Sequence, residues 1–252
     1  MAGRAKSAPS GSDSGHGDAP ARALAIYAHP DDPAVACAAT LARWSRAGCS
    51  VSVVSVARGE KGGGGRGADL ARRRAAESRA AADIVGVAGW STLGLDDGEI
   101  DNTSELRARL VQLIRDIKPD VVLSSDPTAV FFGDSYVNHR DHREIGWAVL
   151  DAVSPAAGNA SYFPDAGPAH RVSELYLSGT LEPNVWVDIA ETIDVKVAAL
   201  ACHASQLTDA FEGLDVAGSD DLVAELVRSR AAAEGRRGNL ALAEGYRRIR
   251  LT

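Results

Sequence analysis

The chain has 252 residues, 45% apolar and 24% charged, with 27 basic against 34 acidic side chains and a formal net charge of −7. A chain of that length buries roughly 70–75% of its unfolded surface, enough for one large α/β unit to fold without disulfide or structural-metal staples. The acidic balance excludes the electrostatic footprint of a DNA- or RNA-binding protein. Cys37, Cys49 and Cys202 are odd in number and widely spaced, so they write neither a disulfide framework nor a C-x-x-C zinc site.

Residues 1–20 are rich in Gly, Ser, Ala and Asp and lack the apolar core of a secretory signal, which predicts a disordered leader ahead of one folded domain over 21–252. No apolar run approaches the roughly 20 residues of a spanning helix. With its cysteines unpaired, the chain is expected in the reducing cytoplasm.

From Arg22 a short apolar run, Leu24-Ala25-Ile26-Tyr27, stops at His29-Pro30-Asp31-Asp32 and reads as a buried strand entering a polar turn. Pro33 opens a helix to about residue 47, ended by Gly48. Val51, Val53, Val54 and Val56 make a second strand, followed by Arg58-Gly59-Glu60-Lys61 and a glycine run to Gly67. The alternation continues with a helix over about 68–85, a weaker strand at 90–95, a helix at 104–117 and a strand, Val121-Val122-Leu123, ending at Ser125-Asp126-Pro127. A loop then leads to Asn138-His139-Arg140-Asp141-His142-Arg143 and a helical run over 144–152. Residues 153–170 read as an irregular excursion, 174–178 and 185–189 as strands, and 192–206 as a helix. The stretch 208–252 reads as helical with an arginine-rich end.

Strands alternating with helices of this length predict a Rossmann-like, mostly parallel sheet with helices on both faces. Such sheets bind ligands beyond the carboxyl ends of their strands. The polar clusters at 29–32, 58–61 and 124–126 are therefore expected to converge on one crevice.

Three kinds of chemistry compete for that crevice. The first is a metal site of His29, Asp32 and His142, since catalytic zinc takes about three His and carboxylate ligands and keeps one position open. His139 and His142 share a helix face at i and i+3, although among six histidines such a pair alone also fits two solvated helix-start residues. If Asp32 binds the ion, the adjacent Asp31 is free to take a proton from the water there as general base. The second is a nucleotide site at Gly62-Gly63-Gly64-Gly65-Arg66-Gly67, with Asp83 further on, which formally matches G-x-G-x-x-G. That run starts well past the strand and follows the second strand instead of the first, so a flexible loop explains it more simply. The third, a serine hydrolase, lacks its G-x-S-x-G elbow. A non-catalytic module remains the reading from another class.

The ordered motifs carry a resemblance. Ala28-His29-Pro30-Asp31-Asp32, Arg58-Gly59-Glu60-Lys61-Gly62, Arg74-Ala75-Ala76-Glu77, Leu95-Asp96-Asp97-Gly98, Lys118-Pro119-Asp120-Val121-Val122, His139-Arg140-Asp141-His142 and Lys196-Val197-Ala198-Ala199-Leu200 before His203-Ala204-Ser205-Gln206 resemble the N-acetylglucosaminyl deacetylases of the PIG-L and LmbE-like family over nearly the whole chain after Arg22. The resemblance implies a Rossmann-like fold and a hydrolase that uses one Zn2+ per chain to remove the N-acetyl group of a small-molecule amino-sugar conjugate. It puts His29, Asp32 and His142 on the zinc ligands, Asp31 on the catalytic base and His139 on the histidine that supports the oxyanion. It puts Arg74 and Asp97 where the family approaches sugar hydroxyls. Asp141 is expected to orient a histidine or arginine, and His203 to be either a site residue or a packed structural one. Pro33 stands where the family has glutamate, and Arg140 where it often has proline. Val137 stands where some members carry a tyrosine, which makes Tyr136, one position earlier, a candidate oxyanion donor. The runner-up is an amidase of the same family acting on a larger amide, such as a mycothiol S-conjugate. Oligomeric state is left open.

Overall fold

The computed structural model describes residues 19–62, 65–210 and 219–251. The expected leader falls largely on 1–18, which lie outside the described residues, as do Gly63 and Gly64 of the loop over Gly62–Gly67 expected to be flexible. Strands β1 (Arg22–Tyr27), β2 (Ser50–Ala57), β3 (Gly89–Leu95) and β4 (Val121–Ser125) alternate with helices α1 (Asp32–Arg46), α2 (Gly67–Val85) and α3 (Ser104–Ile117). A two-stranded hairpin, β5 (Phe131–Phe132) and β6 (Tyr136–Val137), precedes α4 (Arg140–Asp151). Then come β7 (Glu174–Ser178), β8 (Val185–Asp188), α5 (Ile193–Ala201), α6 (Ala204–Ala210), α7 (Ser219–Gly238) and β9 (Ala243–Arg250).

The main sheet has the order β3-β2-β1-β4-β7-β9-β8. The β1–β2, β2–β3, β1–β4 and β4–β7 pairings are parallel, and β9 runs antiparallel to both β7 and β8. This is the expected α/β architecture. Winding reverses between β1 and β4, where Ala23, Leu24 and Ala25 face Val121, Val122 and Leu123.

β1 is buried on both faces, so its continuous apolar run still sorts by twos. Ala23, Ala25 and Tyr27 join the core beneath α1, α5 and α7, whereas Leu24 and Ile26 join the opposite core with Leu106, Leu110 and Ile114 of α3 and Ile145 and Val149 of α4. Every residue that leaves β1 at its carboxyl end thus starts from a frame fixed on two sides.

Two expectations are corrected. The helix expected over 192–206 breaks at Cys202 and His203, because Glu77 of α2 accepts from the Ser205 backbone N–H at 3.0 Å and from its hydroxyl at 2.6 Å, giving a second helix its own start. The stretch expected to be helical to its arginine-rich end gives α7 and then β9. Pairing of β9 between β7 and β8 overrides a sequence whose arginines blur any alternation.

Gly146 lets α4 lie against the end of β4. A Cβ there would stand 2.7 Å from the Ser125 carbonyl oxygen and 2.9 Å from the Pro127 ring. Gly146→Val is expected to cost about 2–3 kcal/mol through overpacking, read as a lower urea midpoint at unchanged m-value, and to weaken retention of a divalent ion by pulling His142 out of place.

Candidate metal centre and active site

His29 leaves β1 and Asp32 opens α1. The Asp32 carboxylate accepts the His29 backbone N–H at 2.8 Å, which folds the turn so that both side chains face one point. His142, on the first turns of α4, arrives from the other side of the switch point. His29 Nδ1 lies 3.3 Å from His142 Nε2 and 3.4 Å from Asp32 Oδ2, and His142 Nε2 lies 3.1 Å from Asp32 Oδ1.

Those separations match the edges of a tetrahedral site. Ligands about 2.0–2.2 Å from a zinc-sized ion stand roughly 3.3 Å apart. The second ring nitrogen of each histidine is also held, as metal-binding imidazoles require. His29 Nε2 faces Asp97 Oδ1 at 3.1 Å and Asp141 Oδ2 at 3.3 Å. His142 Nδ1 faces Asn138 Oδ1 at 3.1 Å, and Asn138 donates its own amide to the Ala129 carbonyl at 2.8 Å, which fixes the amide's orientation. The nitrogen that each imidazole turns towards Asp32 is therefore the one left to take an ion, once it gives up its proton.

Other sets near His29, one with His139 and His142 and one with Asp97 and Asp141, also bring ligand-type atoms close together. Their atoms are otherwise engaged. His139 caps α4, its Nδ1 accepting the Asp141 N–H at 3.2 Å. Asp141 is fully buried and accepts Gly98 N–H at 2.7 Å and Ile100 N–H at 3.3 Å, while Asp97 accepts Lys61 N–H at 3.3 Å. The geometry thus assembles His29, Asp32 and His142 and sets Asp141 against His29 Nε2.

Charge in the site follows from this crowding. Burial lowers the His29 pKa, but Asp32, Asp141 and Asp97 outweigh it and hold it well above the ordinary value. His142 is likewise lowered by burial and raised on balance, chiefly by Asp32. Burial would raise the Asp97 carboxyl, yet His29 brings it down to about 2. Burial, with His29 and His142 as positive neighbours, pulls His139 down. A neutral His139 whose Nδ1 is already an acceptor carries its proton on Nε2, so it offers one N–H donor beside the site. Its ring centroid is 4.9 Å from that of His29.

Asp31 lines the cavity and is held by Arg74, whose Nη2 donates to Oδ1 at 2.7 Å while Nη1 donates to the Gly59 carbonyl at 2.8 Å. Arg74 is only 2% exposed, and Asp97 is engaged with His29 and Lys61. Arg74 and Asp97, which the resemblance puts near sugar hydroxyls, thus contact Asp31 and His29 in this structure. Gly59, at φ +70°, makes room for this, since a Cβ there would collide with the Arg74 guanidinium and the Pro30 ring. Tyr136 is 53% exposed on the hairpin, packed against Phe132, and does not line the cavity. His203 does line it, 1% exposed, lowered in pKa first by burial, with neither ring nitrogen hydrogen-bonded.

Sequence reasoning missed Asn138, Glu60 and Gln206. Asn138 adjoins the histidine motif, so the need to hold the second nitrogen of His142 could have singled it out. The buried Glu60 Oε2, Arg74 Nε and Gln206 Oε1 atoms lack protein partners, and Gly62 has Gln206, Arg74 and Asp97 within 4 Å of its Cβ position.

The PIG-L model, described as GlcNAc-PI de-N-acetylase, matches residues 24–153. The chain belongs to the PIG-L family. The match runs from β1 through α4 and so includes every residue of the metal triangle and its holders, while His203 and the later elements lie beyond it. Diacetylchitobiose deacetylase of Thermococcus kodakarensis is 31% identical over 195 residues, covering 75% of this chain and 71% of that protein. The 1D-myo-inositol 2-acetamido-2-deoxy-alpha-D-glucopyranoside deacetylase of Rhodococcus jostii is 28% identical, covering 80% of this chain and 87% of its own. Among solved structures, the N,N'-diacetylchitobiose deacetylase of Pyrococcus horikoshii superposes with a TM-score of 0.79 at 25% identity, covering 92% of this chain and 84% of that one. Among the described residues, no helix of this PIG-L chain is long and apolar enough to cross a membrane.

Metal uptake must displace the protons that Asp32 stabilises on His29 and His142. Affinity for a divalent ion is therefore expected to rise with pH through the raised histidine pKa and to level off above it. Calorimetric titration at pH 6.0 in buffers of different ionisation enthalpy should show more protons released per ion than at pH 8.5; equal release at both would contradict the charge arrangement described.

Proposed function

We propose that this protein is a zinc-dependent N-deacetylase that hydrolyses the acetamide of an N-acetylglucosaminyl conjugate. The observation that carries the reading is the triangle of His29 Nδ1, Asp32 and His142 Nε2 at 3.1–3.4 Å, with the remaining nitrogen of each imidazole already held. Its donor set of two histidines and one carboxylate suits zinc and leaves room for a fourth position. A divalent ion held there supplies Lewis acidity, polarising an amide carbonyl and acidifying water.

The protein's own groups divide the remaining work. Asp31, steadied by Arg74, takes the proton of the attacking water and passes one to the departing amine, so that acetate and a free amino sugar leave. The His139 Nε2–H donates to the oxygen that becomes negative as the carbonyl carbon turns tetrahedral. Gln206 and His203, which line the cavity, present unpartnered polar atoms there, and sugar hydroxyls satisfy atoms of that kind. The family and the relatives named above support an amino sugar as the substrate class.

A second reading rests on the cavity, whose volume of about 910 Å³ exceeds what an acetyl group and one sugar need. It is the same hydrolysis on a larger acyl group, an amidase acting on a conjugate. Identifying the released acid separates the two.

Acetate release from a panel of N-acetylglucosaminyl conjugates is expected to stop on chelation and return with zinc. Asp31→Asn should retain zinc yet lose about 10²–10⁴ in kcat, and unchanged turnover would remove the base assignment. His139→Ala should lose about 10²–10³ in kcat with little change in KM.

A further inference from the structure

The cavity that contains Asp31, Asp32 and His142 does not end at them. It continues between α1, α5 and α7 as far as β8 and β9, and its far half is walled by Val35, Leu200, Val223, Leu226 and Val227, with Leu181 at the mouth. Its floor carries charge that is already spent. Lys196 pairs with Glu244 and donates to the Val35 carbonyl at 2.6 Å, and Glu244 also accepts from Thr40 N–H and Tyr246 OH, each at 2.9 Å. The Tyr27 hydroxyl is matched with Ser178 at 2.9 Å.

The two halves therefore differ in kind. In the half that contains Asp31, the lining residues His203 and Gln206 carry unpartnered buried polar atoms. The half towards α7 is mostly apolar, the charged side chains that α7 adds to it being Arg230, Glu234 and Arg237, of which the last two pair with each other, and its rim is open, with Val35 46%, Leu181 55% and Leu226 43% exposed. A sugar leaves such a wall wet, whereas an alkyl chain or aromatic ring dries it. Leu181, Leu200, Val223, Leu226 and Val227 also lie outside the residues that match the family model, so this wall belongs to the later part of the chain.

We infer that the far half of the cavity binds an apolar substituent of the amino-sugar substrate, an alkyl or aryl group attached through the anomeric oxygen or as the acyl chain itself. The occupant is part of the substrate because this space is continuous with Asp32 and His142. The inference rests on the deacetylase reading for the sugar, and on the cavity alone for the apolar group.

The test uses the full-length, zinc-loaded protein and two series. One holds the acetamide constant on methyl, butyl and hexyl N-acetylglucosaminides; the other holds the methyl glycoside constant and lengthens the acyl chain from acetyl to butyryl and hexanoyl. In one of the series kcat/KM is expected to rise at least about tenfold from the shortest to the longest member, and the series that rises identifies the point of attachment. Leu226→Asp, at an exposed position, should remove most of that gain and leave the methyl N-acetylglucosaminide within about twofold of its rate. Leu181→Ser repeats the comparison from the opposite rim. Flat profiles in both series, or a gain that survives both substitutions, would overturn the inference. Calorimetric binding of the same compounds repeats the comparison without turnover. A panel that binds according to chain length but is never hydrolysed therefore defeats the deacetylase reading alone.

Discussion

The seam between β1 and β4 is the constraint on which the site depends. Parallel neighbours lie about 4.8 Å apart, and here they are strands from which the chain winds outward in opposite directions. The loops that follow them must therefore separate, leaving a crevice between their first residues. His29 and Asp32 enter it from one side and His142 from the other, 113 residues later. No local preference could bring those groups together; the register of Ala23–Ala25 against Val121–Leu123 does so.

Each reactive side chain in that crevice is steadied by a group from another element. Asp97 and Asp141 hold His29, Asn138 holds His142, Arg74 holds Asp31, and the Asp141 backbone holds His139. Cross-bracing of this sort suits a site dense in buried charge, where an isolated ion costs several kcal/mol and a paired one far less. It also explains why Arg74 and Asp97, which look like open arms in the sequence, are found facing inward. Their charges neutralise and orient their neighbours before any ligand arrives.

The parallel half of the sheet was legible because its strands are continuous apolar runs that end in polar clusters, and because α1, α2 and α3 keep long helical patterns between them. The meeting of His29, Asp32 and His142 was legible for a related reason: adjacent carboxylates at a strand end and a histidine pair at a helix start stand out as short words. The later part of the chain was not. Ser205 starts α6 only because Glu77 reaches it from a helix far back in sequence. Ala243–Arg250 becomes a strand because it pairs with β7 on one side and β8 on the other. Arg74 could not be placed from its motif either, since burial at 2% depends on the Gly59 turn packing over it. In each case the deciding partner is remote, and a window of neighbouring residues holds no trace of it.

The position of β9 dictates an order of assembly. Its two partners precede it in the chain, and β8 touches the sheet only through β9. Until residues 243–250 dock, β7 presents a bare hydrogen-bonding edge of the kind that invites intermolecular pairing, and β8 has nothing to join. Glu244 arrives with the same strand, so the counter-ion of Lys196 is also supplied last. The nascent protein can thus complete its catalytic half while a hazardous edge stays uncovered, and the closing step belongs to pairings of long sequence separation, which are slow to form.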